Sequence, residues 1–383
     1  MSSVQRIYLD HNATTPLDPR VLDAMLPYLR ESFGNPSSLH WFGQRARAAV
    51  EDARGRVASL IGADPAEMVF TASGSESDNM ALRGAFAKAR EARRRVIVTA
   101  VEHHAVLHCA KALAEEGGSV EIARVGEDGR LDLDDLRVKL EDSATVASVM
   151  LANNETGVLQ PVAEAARLAH ERGALVHCDA VQAGGKAPLD VRALDVDLLT
   201  LSAHKLYGPK GIGCLYVRRG TPLAPLVRGG AQERNRRAGT ENVAGIVGFG
   251  VAASLAREGL VAETERVGVL RDRLEERLLA VPGARRNGGL GRLANTANVS
   301  FDGVDAEALV IALDLEGVAA STGAACAAGG VEPSHVLKAM GFPPERVQSS
   351  LRLSLGRGTT QEEVDRAADV IGVVVGRQRA QRT

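Results

Sequence analysis

The sequence predicts an α/β protein: a large unit with a mostly parallel sheet covered by helices on both faces, and a smaller α+β unit beside it. Three observations carry that expectation. Short apolar strands alternate with helical segments from about residue 15 to 255, and parallel strands need helical crossovers of this length. After that stretch the strands become sparser and the helices more charged. Aromatic residues are only 3% of the chain while glycine reaches 40, which suits an aliphatic core with many tight turns. A chain of 383 residues exceeds what one hydrophobic core usually organises. The division expected is 15–256 for the large unit, and 1–14 with 257–383 for the small one.

Taken in order, residues 45–61 carry apolar side chains at helical spacing and stop at Gly62. Residues 68–71 form a strand that runs into Ser-Gly-Ser-Glu-Ser-Asp-Asn, and helical spacing resumes over 80–93. Strands follow at 96–101, 120–125, 146–152, 175–178, 198–202 and 214–217. Helices at 105–116, 133–140, 162–172 and 243–257 fall between or after them. In the second part, a charged amphipathic helix over 263–280 is closed by Pro282-Gly283. Short strands at 298–301, 318–321 and 351–355 alternate with helices at 306–315, 335–340 and 362–375, and residues 7–9 are expected to join them. No internal repeat is present.

Charge and cysteine usage narrow the function classes. The chain has 46 basic and 48 acidic residues, a net charge of −2, so it offers no electrostatic footprint for nucleic acid or an anionic membrane. The longest weakly polar stretch, 243–256, has 14 residues, short of the roughly 20 that span a bilayer. The opening MSSVQRIYLD lacks a basic region followed by an apolar run, so no signal peptide is expected. Cys109, Cys178, Cys214 and Cys326 lie far apart without Cys-x-x-Cys spacing, which argues against a zinc site or a disulfide framework. The expected setting is reducing and cytoplasmic. Only 7 of the 46 basic residues are lysines, so each lysine in apolar surroundings merits separate attention.

In an open parallel sheet, ligands bind beyond the carboxyl ends of the strands. Here those ends carry Glu102-His103, Asn153-Asn154-Glu155, Asp179 with Gln182, and His204-Lys205. Four polar ends on one edge point to a pocket for a charged, aromatic ligand. Each residue also has a plain reading. Lys205 is either a loop lysine or a desolvated amine able to form a Schiff base. Asp179 is either a helix N-cap or a carboxylate that keeps a heterocyclic nitrogen protonated. His103 is either a satisfied polar side chain or a ring that stacks and shuttles protons. His104 and His108 are i,i+4 neighbours, but no third ligand follows at suggestive spacing, so no metal is expected.

Three further features lie off those strand ends. The run Thr71 to Glu76, with Ser73, Gly74 and Ser75, leads from a strand into a helix, where capping and phosphate binding both apply. Cys326 sits among Gly and Ala (STGAACAAGG), a setting suited to an accessible thiolate, whereas the other three cysteines read as buried structural ones. Arg352 alternates with leucines in SLRLSLGR, and its options are solvent or a bidentate carboxylate.

The sequence resembles the cysteine desulfurases of the NifS/IscS type, pyridoxal-phosphate enzymes of fold type I in the class V aminotransferase family. The resemblance runs nearly end to end. It is carried in order by YLDHNATTP (8–16), GNPSSLH (34–40), FTASGSESDN (70–79), VEHHAV (101–106), NNETGVLQP (153–161), HCDAVQAGGK (177–186), SAHKLYGPKG (202–211), RRAGTEN (236–242), STGAACAAG (321–329) and SLRLSLGRGTT (350–360).

What the resemblance implies is specific. Lys205 would join the cofactor covalently, Asp179 would pair with its pyridine nitrogen, Gln182 with its ring hydroxyl, and His103 would stack on the ring. Gly74, Ser75, Ser202 and His204 would hold the phosphate, with Thr240 from the partner subunit of a homodimer. Asn154 and Arg352 would bind the carboxylate of L-cysteine, and Cys326 would take its sulfur as a persulfide, releasing alanine and passing the sulfur to an acceptor protein. An iron–sulfur scaffold, a tRNA-thiolation protein and a cofactor-biosynthesis carrier remain open as that acceptor. Gly74-Ser75 stand where many relatives have Ala-Thr, which keeps both backbone donors and the hydroxyl. The short tail RQRAQRT leans towards the NifS-like side. Two other classes compete: another fold-type-I activity, such as an aminotransferase or selenocysteine lyase, and a sulfur-carrier protein with little catalysis, which would need neither Lys205 nor Asp179.

Overall fold

The structure is a computed structural model that describes residues 6–90, 93–322 and 333–381, together with the backbone of residues 326–327 and 330–331. The chain enters through β1 (Ile7–Tyr8) and then lays down seven strands of one sheet: β2 (Met68–Thr71), β3 (Arg95–Thr99), β4 (Ser119–Ala123), β5 (Val146–Ser148), β6 (Leu175–Asp179), β7 (Leu198–Ser202) and β8 (Gly213–Val217). Their spatial order is β2-β8-β7-β6-β5-β3-β4. From β7 to β4 every pairing is parallel, and β8 alone runs against its neighbours on both sides. β7 and β8 are buried along their whole length, as expected of strands covered on both faces.

Most expected strands and helices are present; the helix Pro19–Arg30, the strand Ala284–Arg286 and the short helix Pro344–Gln348 have no counterpart in the sequence pattern, and three further departures concern expected elements. Residues 74–79 are helical: the helix Gly74–Lys88 starts six residues before the expected 80, because Ser73 caps it by accepting the Glu76 N–H at 3.1 Å. The strands expected at 96–101 and 146–152 end at Thr99 and Ser148, where the chain turns away to deliver polar groups. The two helices expected at 243–257 and 263–280 are one, Val243–Leu279, of 37 residues. Its first half packs in the core of the seven-stranded sheet through Ile246, Phe249 and Ala253, and its second half packs in another core through Val267, Leu270 and Leu274. A helix needs only a continuous partner on one side, and this one changes partner midway. It is long and apolar enough to cross a membrane by length and composition, and half of its most apolar window is buried within the fold. Close approach explains its glycines: a Cβ at Gly250 would stand 2.7 Å from the Cα of Ala53.

The remaining strands are β9 (Ala284–Arg286), β10 (Thr296–Phe301), β11 (Val318–Ala319), β12 (Cys326–Ala327), β13 (Gly330–Val331) and β14 (Ser350–Ser354), and β9, β10, β11 and β14 contribute to the second core. β14, β10 and β9 form an antiparallel sheet, β1 pairs in parallel with β11, and β12 pairs with β13. Ile7 and Leu9 therefore belong to this core with Leu351 and Leu353.

Candidate active site

Parallel direction brings the carboxyl ends of β3, β5, β6 and β7 to one edge, and a cavity of about 290 Å³ opens there. Its wall contains Gly74, Ser75, His103, Asn154, Asp179, Gln182, Ser202, His204 and Lys205, nine of the expected site residues, and also Ala13 and Asp78. Thr240 is exposed and is not part of this wall. Arg352, on β14, reaches it only indirectly. Its Nη1 donates to the Asn154 carbonyl at 3.2 Å, and its Nη2 pairs with Asp10 at 2.7 Å. The side chain of Cys326 lies outside the described residues. The described residues on either side of it have partners near the site. The Arg352 N–H donates to the Ser321 carbonyl at 2.7 Å, Ser334 Oγ donates to Glu155 at 2.5 Å, and His335 Nε2 donates to the Glu102 carbonyl at 2.9 Å.

Lys205 follows β7 in a single helical turn, Ala203–Lys205. Its Nζ donates to the carbonyls of Ala13 (2.8 Å) and Asn12. Burial, and next the Arg352 charge, push its amine down to about 8, with Asp179 and Asp10 pulling the other way. Asp179 ends β6 and accepts the Val181 N–H at 2.9 Å. Burial raises its carboxyl, while the Val181 N–H and Lys205 oppose the rise. His103 caps the helix His104–Glu115, its Nδ1 accepting the Ala105 N–H at 3.1 Å. A backbone N–H only donates, so Nδ1 is unprotonated and the ring proton sits on Nε2. Burial by the surrounding protein and the nearby Lys205 push this imidazole down to about 4, although the ring edge itself is open to the cavity. His204 is pushed down likewise, to about 4, by burial and Lys205.

Two groups were not singled out by the sequence as part of the site. The first is Asp78, which is 1% exposed and lines the cavity, its Oδ1 lacking a hydrogen bond 3.5 Å from His177 Nε2. Burial and then Asp179 raise its carboxyl well above the usual range. The Asn12 carbonyl is the second, and it receives both Lys205 and the Gln182 Nε2 at 2.9 Å. A backbone oxygen carries no residue-type signal. Glu102 is buried beside them with Oε2 unpartnered, and burial pushes it up to about 8. Among the described residues, no group of three or more His, Cys, Asp or Glu side chains is arranged to hold a metal.

The cavity fits pyridoxal phosphate on three counts. Gly74 and Ser75 occupy the first two positions of their helix, where backbone N–H groups have no intrahelical acceptor and favour a phosphate. A Cβ at Gly74 would come within 3.0 Å of Val181 Cγ2 and 3.5 Å of Ser202 Cβ, so the cradle is drawn close around that helix end. A buried carboxylate and a desolvated lysine face the same space, the donor set a protonated heterocycle with an aldehyde requires.

Comparison with known proteins agrees with this fit. The aminotransferase class-V family model matches residues 7–367. A cysteine desulfurase of Nostoc sp. is 48% identical over 376 residues, 98% of this chain and 94% of its own length. The cysteine desulfurase NifS of Azotobacter vinelandii is 48% identical, over 97% and 93%. Among solved structures, a NifS-like protein superposes with a TM-score of 0.92 at 38% identity, covering 97% of this chain and all of that one. A structure described as SspA in complex with cysteine gives 0.81 at 34% identity, covering 91% and 98%. The chain belongs to the class-V aminotransferase family and, within it, to the pyridoxal-phosphate-dependent cysteine desulfurases.

Proposed function

We propose that the protein takes the sulfur from L-cysteine, releases L-alanine, and holds the sulfur as a persulfide on Cys326 for transfer to an acceptor protein. The observation that carries this reading is the meeting of Lys205, Asp179 and the N-terminus of helix Gly74–Lys88 in one cavity; Ser334 and His335, which follow the Cys326 segment, bond to Glu155 and to the Glu102 carbonyl, next in sequence to the wall residues Asn154 and His103. The bound cofactor supplies an electron sink for negative charge at the substrate α-carbon. Asp179 meets its ring nitrogen, Gln182 its ring hydroxyl, His103 its face, and Gly74, Ser75, Ser202 and His204 its phosphate. Lys205 carries protons at the α-carbon, and its lowered amine makes a neutral form accessible near neutral pH. Asn154 and Arg352 receive the substrate carboxylate, Arg352 exchanging Asp10 for it. The Cys326 thiolate then forms the new S–S bond as the C–S bond breaks, and the departing electron pair is protonated to make the alanine methyl group. His103 can exchange a proton only at Nε2, since Nδ1 is committed to the helix cap.

The working unit in this reading is a homodimer in which Thr240 of one subunit completes the phosphate site of the other, acting in the cytoplasm. Its small part consists of 1–14 and 257–383. An iron–sulfur scaffold or a thiolation protein fits as acceptor. The test is alanine and sulfide release from L-cysteine with a reductant, run beside Cys326→Ser. Equal molar products from the wild type, lost in a variant that keeps its cofactor, are expected. Sulfide without matching alanine, or full activity in Cys326→Ser, overturns the reading.

A further inference from the structure

Lys186 has no part in the chemistry above, yet it stands directly behind the cavity wall. It closes the motif that holds Asp179 and Gln182, is partly buried, and its Nζ donates to Gln182 Oε1 at 3.1 Å. Of the charged groups that act on it, Lys205 and Arg352 are cationic and Glu263 draws its charge the other way, while His11 and His204 beside it are neutral. Burial and these neighbours push it down to about 7. A partly buried lysine beside other cations is costly, and the one hydrogen bond its ammonium makes among the described residues is the bond to Gln182.

That bond has a consequence for the cavity. A carboxamide has an acceptor end and a donor end, and a side chain can present either. A protonated Lys186 only donates and the Asn12 carbonyl only accepts, so together they set the acceptor end of Gln182 toward Lys186. Its Nε2 is thereby turned away, giving one N–H to the Asn12 carbonyl at 2.9 Å, while the other N–H has no acceptor among the described residues. Gln182 lines the cavity. We propose that Lys186 is a positioning residue that locks the Gln182 carboxamide with its N–H side toward the cofactor's ring hydroxyl. The proposal rests on the reading of Gln182 as the partner of that hydroxyl. Without the lock, the amide can turn its oxygen to the cavity and repel an anionic ring oxygen. The Asn12 carbonyl, shared with Lys205, would lose its Gln182 donor at the same time.

The test is a double-mutant cycle on holoenzyme without substrate: wild type, Lys186→Met, Gln182→Leu and the double variant, with Lys186→Arg as the conservative change. The readout is the pH midpoint of the bound cofactor's visible absorption. A donor lost from the ring oxygen lets the neighbouring nitrogen keep its proton to higher pH. Both single variants should therefore raise the midpoint by about one to two pH units. The double variant should go little further than Gln182→Leu alone, and Lys186→Arg should stay near wild type. A Lys186→Met shift that is as large in the Gln182→Leu background reports a through-space charge only and overturns the lock. So does an unmoved Lys186→Met midpoint when Gln182→Leu shifts. If Gln182→Leu shifts nothing, the role of Gln182 itself is wrong and the lock falls with it, a result distinct from the other two. Lys186→Leu serves for the cycle if Lys186→Met does not fold.

Discussion

Two buried ionic regions of this molecule invite comparison. Beneath helix Trp41–Leu60, Arg54 and Glu233 are each 3% exposed at the side chain and joined bidentately, with both N···O distances 2.8 Å. Glu233 also accepts the Phe70 N–H at 2.9 Å, Arg54 donates to the Met68 carbonyl at 3.1 Å and to Glu51 at 3.1 Å, and the guanidinium lies 4.8 Å over the Phe70 ring. At the cavity floor, by contrast, Asp78, Glu102 and Asp179 are buried together. Asp78 Oδ1 and Glu102 Oε2 have no partner, and Lys205 is the one lysine on the cavity wall. The first region is satisfied within the chain and holds structure. It even pins Glu233, Arg234 and Asn235 in consecutive left-handed conformations (φ of 46°, 56° and 64°), which cost about 1–3 kcal/mol each. The second leaves polar groups unanswered, which the fold tolerates only where a ligand completes them.

The contrast predicts opposite responses to mutation. Lys205→Ala should lower alanine production by on the order of 10²–10⁴-fold or more and leave the unfolding midpoint nearly unchanged, as checked by product assay and denaturation. A large loss of stability would place Lys205 with the structural pair. Arg54→Met orphans a buried carboxylate and should cost about 3–5 kcal/mol in denaturant unfolding, with turnover per folded molecule unaltered. Adding Glu233→Gln should recover part of that loss.

Smaller effects sharpen the distinction. Glu102 holds its proton up to about 8 in the fold, whereas an unfolded chain releases it near 4.3. Its contribution to stability is therefore full below the unfolded value and is lost as pH rises toward 8. Glu102→Gln keeps an oxygen for the Met150 N–H and the Thr99 hydroxyl, so it should flatten the fall in stability between about pH 5 and 8. An unchanged slope in urea titrations would mean that another group carries it. Least of all, Gly74→Ala should change cofactor affinity by less than about tenfold, since Val181 yields at a rotamer cost near 1 kcal/mol. Spectrophotometric titration of the apoenzyme measures it.

Much of the fold and site was legible before the structure, and the misses share a cause. Short apolar runs ending in polar residues place β2 and β7 to the residue, because that signal is local. The helical start at Gly74 was missed because Ser, Asp and Asn favour caps and turns as readily as helix. The long helix was read as two because its apolar face changes partner, which a periodicity taken in windows registers as a break.

The sequence by itself determined which chemical groups stand at the carboxyl ends of β3, β5, β6 and β7, since strand direction follows from helical crossovers. It also placed nine of the groups that line the cavity. Only the tertiary structure decided that Asp78 faces inward with its Oδ1 lacking a hydrogen bond, that the Asn12 carbonyl gathers Lys205 and Gln182, that Arg352 is paired with Asp10, and that Lys186 bonds to Gln182 from behind. Each of these is a hydrogen bond, or its absence, whose partners are set by the meeting of separate elements. A residue's neighbours along the chain fix its backbone tendency. The direction and protonation of its polar atoms are fixed by what folding brings opposite them.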